Sequence, residues 1–375
     1  MKRDTMKRTL IPRLTPIAVL LALLPSSARA DTLPSGKLWI WINPEQISRL
    51  PASGQAWDQM VSDANKDLMT IDIGNQNDKT DSYMMAAGLV YLKLREAGDS
   101  AANEYRARVQ RACLTAIGTE GNATDALAAC RQVCAVVVAA NLIDWSDSSE
   151  EARFRSWVDD IRFRVFPDGR SITSTHRDRP NNWGTHAGAS RLACALYLRD
   201  EETARDCVAV FSGWLGNRES YAGFEYGDLS WQDDEDRPVG INPLGAVKNG
   251  FDIGGVLPDD QRRSGPFPGD WSAKTNYVYE ALQGVLAQAV MIQQEYPNVW
   301  NWSDQAILRA YEWLEDVHDQ PITDTVNGSD DGWQAHLVNH VYGTDFLAPS
   351  STNPGKAVGY TDWTTLTSEW PWSSE

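Results

Sequence analysis

The stretch Arg179-Pro180-Asn181-Asn182-Trp183-Gly184-Thr185-His186-Ala187-Gly188 runs directly into Ala189-Ser190-Arg191-Leu192-Ala193-Cys194-Ala195-Leu196-Tyr197-Leu198. The second half reads as a helix with an apolar face, and the first half places two amides, an indole and an imidazole at its mouth. Pro180 starts the turn, and Asn182 or Thr185 is the expected cap. A helix start leaves N–H groups unpaired and carries a partial positive charge, a setting that holds a carboxylate. On spacing alone, His186 reads equally well as a structural histidine beside a capped helix.

The same helical pattern recurs along nearly the whole chain. It predicts helices over 56–69, 82–97, 101–117, 124–142, 150–166, 186–199, 202–216, 275–295 and 303–317. Several are Ala/Leu/Val-rich with wide apolar faces, as expected when both sides of a helix meet neighbours. The prediction is an all-α fold, an (α/α) toroid or incomplete barrel with long irregular loops, in one domain over 31–375. Residues 36–43 alternate enough for a short strand or extended entry. No repeat of fixed period is visible. Residues 217–273, rich in Gly, Pro, Asp and Trp, form a connection long enough to be functional or to carry small strands of its own. Residues 320–375 read as an irregular, Trp-rich extension packed back onto the helices.

The first thirty residues read as a secretory signal rather than fold. Lys2, Arg3, Lys7, Arg8 and Arg13 are its basic region, 17–24 its apolar run, and Ala28-Arg29-Ala30 its cleavage site. Its removal takes six of the 34 Lys and Arg and one of the 51 Asp and Glu, leaving 28 against 50 and a net charge of −22. An exported, periplasmic or secreted monomer is expected. So acidic a surface argues against nucleic acid as a partner, and no later apolar run is long enough to span a membrane. Cys113, Cys130, Cys134, Cys194 and Cys207 lie on apolar helix faces, where two disulfides or free buried thiols fit equally.

Three further stretches carry candidate chemistry. The 16 Trp and 12 Tyr exceed what a core of this size needs, and those in loops, Trp183 and Trp231 among them, suit a groove that stacks sugar rings. In 217–273 these are joined by Glu225, Tyr226 and the run Asp233-Asp234-Glu235-Asp236. Lys274-Thr275-Asn276-Tyr277-Val278-Tyr279-Glu280-Ala281-Leu282 places two tyrosines about 160° apart on one helix, so only one of them faces a given site. Asp331-Gly332-Trp333-Gln334-Ala335-His336-Leu337-Val338-Asn339-His340 offers His336 and His340 four apart. That is a zinc spacing without a third ligand, so no metal and no cofactor are expected.

Together, the Asn181-Asn182 stretch and the Tyr277 helix resemble the alginate-lyase-like polysaccharide lyases, and most closely the glucuronan lyase family (polysaccharide lyase family 38). In the alginate lyases a histidine follows the two asparagines; here Trp183 takes that place and the histidine is His186. The resemblance implies β-elimination on a 1,4-linked uronan, glucuronan first and mannuronan or alginate next. Asn181 and Asn182 would neutralise the uronate carboxylate, with a buried, protonated Glu225 as a further donor. Tyr277 is the matched catalytic tyrosine, with His186 as base or orienting partner. Substrate-binding roles fall to Arg179, Trp183, Glu225, Tyr226, Trp231, Arg263, Lys274, Trp333, His336 and His340. Two alternatives stand beside this reading. One is a glycoside hydrolase using Glu225 with Asp228, Asp233 or Asp234; the other is an exported saccharide-binding protein without catalysis.

Overall fold

A computed structural model describes residues 36–269, 275–318, 332–348 and 357–366. The expected signal peptide and Lys274 lie outside the described residues. The described chain is all-α, with almost no strand. Its helices are α1 (Pro44–Arg49), α2 (Gln55–Ala64), α3 (Thr80–Glu96), α4 (Ala102–Ala116), α5 (Ala126–Leu142), α6 (Ser148–Ile161) and α7 (Ile172–Asp178). They continue with α8 (Asn182–Leu198), α9 (Glu201–Trp214), α10 (Pro258–Gln261), α11 (Thr275–Ile292), α12 (Trp302–His318), α13 (Trp333–Tyr342) and α14 (Thr361–Thr364). No helix among the described residues is long and apolar enough to cross a membrane.

Burial separates the long helices into two kinds. In α5 every residue is buried, and α3 and α8 are buried on nearly all sides. By contrast α2, α4, α6 and α9 bury one stripe and expose the rest. The buried helices pack in chain order, α3 on α5, α5 on α8 and α8 on α11, while α2 and α4 flank α3 and α9 flanks α8. Their contacts run in the same direction. Gln132 reaches the carbonyls of Asn75 and Asp78 ahead of α3, whereas Gly88, later in α3, meets Leu142 at the end of α5. Ser190 Oγ donates to Cys130 O (2.7 Å), and Gln288 lies against Gly188. Four neighbouring helices therefore run in the same direction.

The C-terminal segment joins the last helices to the first. Gln334 on α13 donates to Tyr279 O on α11 (3.2 Å), and Tyr311 on α12 donates to Gln334 Oε1 (2.5 Å). From there Thr361 reaches Trp333 O, Tyr360 Oη bonds Asp63 Oδ2 (3.1 Å), and Trp363 donates to Pro51 O (2.8 Å) while its ring packs on Trp57 at 5.4 Å.

Several expectations change. Residues 36–43 pair with no strand; Asn43 instead caps α1 with a reciprocal Asn43–Gln46 bond pair. The extension expected to be irregular contains α13 and α14. The long 217–273 connection does carry its own strands, the two-residue pair β1 (Val247–Lys248) and β2 (Phe251–Asp252), joined antiparallel. All five cysteines are free thiols in the buried interior, and burial pushes Cys194 and Cys207 up to about 12.

Candidate active site

Helix α8 begins at Asn182, because Asn181 rather than Asn182 or Thr185 is its cap: the Asn181 side-chain oxygen accepts from Trp183 N at 3.2 Å. The polar residues of the motif therefore occupy the first two turns of a buried helix. The small residues make this packing achievable. A Cβ on Gly184 would lie 1.8 Å from Arg179 O, and one on Gly284 of α11 would lie 2.4 Å from the Thr185 carbonyl carbon. Backbone thus meets backbone where α8 crosses α11, and the side chains on either side are drawn together.

At the start of these helices stand Asn182, Arg263 and Tyr277. Arg263 Nη2 donates to Asn182 Oδ1 at 3.3 Å, and its guanidinium carbon lies 4.1 Å from the centre of the Tyr277 ring. Tyr279, by contrast, is buried among core residues, so the two tyrosines divide as their angular separation requires. Of the basic residues preceding Tyr277, Arg262 is committed to Asp259 through a 2.8 Å ion pair. Arg263 has no carboxylate within ion-pair distance among the described residues, and neither has Arg179, which stacks over Trp183 at 5.0 Å.

Asn181 and Asn182 are held from below by two carboxyls that the sequence did not single out. Asn181 Nδ2 donates to Asp259 Oδ2 (2.9 Å), and the Asn182 backbone N–H donates to Asp260 Oδ1 (3.1 Å). Burial, reinforced by neighbouring Asp259, holds the Asp260 carboxyl well above the usual carboxylate range despite Arg263. The buried carboxyl with a raised pKa expected at Glu225 is thus at Asp260. Glu225 itself is 72 % exposed and pairs loosely with Arg170 at 3.8 Å, so the burial that a donor role requires is missing there.

This carboxyl makes a pH prediction. A carboxyl raised in the folded state favours folding while protonated, and that contribution is lost as pH climbs above the unfolded value near about 4. Asp260→Asn keeps the acceptor for Asn182 N–H and cannot ionise. Its melting temperature relative to the parent is expected to rise steadily from pH 4 upward. A constant difference across pH 4–8 would mean that Asp260 is charged in the folded protein.

One turn deeper lies a second group. His186, four residues after Asn182, is fully buried, and its Nε2 is 3.7 Å from Glu280 Oε2. Glu280, three residues after Tyr277, is also met by Arg131 Nη1 of α5 at 3.2 Å, and it remains 20 % exposed. His186 is thus enclosed beside Glu280, with no edge open to solvent.

No family model and no curated protein matches this chain. The remaining expectations rest on the geometry alone. Trp231 is fully buried and donates to Gly265 O (2.8 Å), and Trp333 is buried at the head of α13, so both are packing residues and not platforms for a ligand. Tyr226 is half-buried, and burial raises its phenol. His336 and His340 are half-buried on α13, with His340 lowered by burial. No cluster of three or more metal-binding side chains occurs among the described residues.

Proposed function

We propose that the protein is a polysaccharide lyase that cleaves a 1,4-linked uronan by β-elimination, with Asn182, Arg263 and Tyr277 as its working groups. The observation that carries this is the placement of Arg263, a cation without a carboxylate partner among the described residues, between the Asn182 amide and the face of Tyr277. An (α/α) toroid is the fold we infer, from the parallel buried helices, the flanking exposed ones and the segment 357–366 that links α13 to α2.

The chemistry needs such a group. The proton on C5 of a uronate is too weakly acidic while the adjoining carboxylate keeps its full charge, so that charge must be neutralised by fixed donors. Arg263 supplies a positive charge, Asn182 an amide N–H, and the α8 start its partial charge. In glucuronate and mannuronate the C5 hydrogen and the C4 oxygen lie on the same side. The Tyr277 oxygen, as phenolate, takes the C5 proton; a C4–C5 double bond forms as the C4–O bond breaks, and the same oxygen returns the proton to the departing oxygen. No water is consumed.

The local excess of Arg179 and Arg263 answers the long-range repulsion between an acidic protein and an acidic polymer. The hydrolase alternative loses ground, because Glu225, Asp228, Asp233 and Asp234 are all exposed on their loop. One assay separates the readings. Purified glucuronan and mannuronan treated with the protein are expected to yield unsaturated uronate ends with new ultraviolet absorbance. Reducing ends without absorbance would indicate hydrolysis, and neither product would indicate binding alone.

A further inference from the structure

A cavity of about 520 Å³ opens where α5 and α8 end, walled in part by Lys37, Asp144, Trp145, Glu151, Arg155 and Tyr197. Asn182 begins α8 and Tyr197 is its penultimate residue, so at ~1.5 Å per residue the cavity lies roughly 20 Å from the site described above. It is a different place on the molecule, and nothing in the proposed elimination uses it.

Two observations point to a ligand there. Tyr197 is only 7 % exposed, and its hydroxyl has no hydrogen-bond partner among the described residues. The indole Nε1 of Trp145 is buried in the same condition and lies close to the Tyr197 hydroxyl. Buried polar groups are nearly always completed by protein, water or ligand, so a pair left open on one cavity wall marks a place for a partner. The second observation is charge. Lys37 is neutralised by Asp144 at 3.1 Å, whereas Arg155 donates only to the Tyr197 and Leu198 carbonyls (2.8 and 3.2 Å) and stacks on the Tyr197 ring. Among the described residues no carboxylate lies within ion-pair distance of Arg155. With Arg199 also on its lining, the cavity carries three cations against the two carboxylates of Asp144 and Glu151, an excess that favours an anion on a chain of net charge −17. Two aromatic rings edged by open donors and by the Glu151 acceptor suit a hydroxylated ring.

We propose that this cavity is a second, non-catalytic binding site for a carboxylated sugar, holding a uronate unit at the end of the helices opposite Tyr277. Naming the uronate rests on the lyase reading; the preference for a sugar bearing a carboxylate rests on the cavity itself.

Calorimetry with the full protein carrying Tyr277→Phe, titrated with a uronate tetramer, tests the proposal. Two binding events per chain are expected. Trp145→Ala removes one, and Tyr197→Phe weakens the same one by about threefold to tenfold, the worth of one hydrogen bond. Tyr197→Phe deletes an oxygen without a protein partner, so its melting temperature is expected to stay at that of the parent. A cello-oligosaccharide of equal length, which lacks the carboxylates, is expected to bind this site at least about tenfold more weakly. In the otherwise unaltered protein, Trp145→Ala leaves the initial rate on a short uronan unchanged. A single event untouched by both substitutions, or equal binding of the neutral oligomer, overturns the proposal. The two readings fail separately. If no uronan yields unsaturated ends but the Trp145-dependent event persists, the lyase reading falls and the cavity stands. If cleavage occurs with only one, Trp145-independent event, the reverse holds.

Discussion

Tyr277→Phe is expected to lower turnover on a uronan by on the order of 10²–10⁴-fold while leaving substrate affinity within about a factor of three. The substitution removes one oxygen and keeps the ring, so the packing of Arg263 over that ring survives and the helix remains folded. The lost interaction acts on a proton in transit and therefore falls on kcat rather than KM. Tyr279→Phe, made in the core of the same helix, supplies the control: a change in stability with turnover unchanged. Steady-state kinetics by ultraviolet absorbance measures both. A Tyr277→Phe protein with undiminished turnover would remove the phenol from the chemistry and leave Asn182 and Arg263 as binding groups.

The second large effect is on stability. Gly184→Ala adds one methyl group whose carbon would sit 1.8 Å from Arg179 O and 2.8 Å from the carbonyl carbon beside it. These are backbone atoms, and Arg179 N–H is already bonded to Thr175 O at the end of α7 (3.0 Å), so no rotamer change relieves the clash. Either the turn before α8 moves or the first turn of α8 opens, and both disturb Asn181 and Asn182. A loss of about 3 kcal/mol or more is expected, at the upper end of overpacking costs. Denaturant titration of the parent and the variant measures it. An alanine variant as stable as the parent would mean that the chain enters α8 along a different path.

Much of the helical frame was legible because apolar spacing and length carry it: each of the nine helices expected has a counterpart. What the spacing did not carry is where polar residues end up. The apolar run after Gly188 suggested a helix beginning at its last polar residues, whereas α8 starts at Asn182 and buries its amides and His186. Helices as short as α1 and α7 leave too few turns for a period to show. Within the site, Asn182 and Tyr277 were legible as residue types in a pattern, and Arg263 as one of three nearby cations. Asp259 and Asp260 were not, because nothing in Pro258-Asp259-Asp260-Gln261 distinguishes a buried carboxyl from the solvated acids of Asp233-Asp234-Glu235-Asp236. Burial is a property of the assembled fold, and the same fact moved Trp231 and Trp333 from expected sugar platforms to packing. Glu280 did leave a signal: three residues after Tyr277, it shares that residue's face of the helix.

The hydrogen bonds from Tyr360 to Asp63 and from Trp363 to Pro51 join residues 297 and 312 positions apart. A tie of that span brings a larger closure entropy than any other side-chain bond among the described residues, and gains nothing until nearly all the intervening helices are in place. During synthesis, α2 and α3 would wait with one flank open until the residues around Tyr360 had left the ribosome. The described residues that make it, 357–364, are buried throughout, so in the finished molecule this late tie is a seam of the core and not a strap laid over its surface.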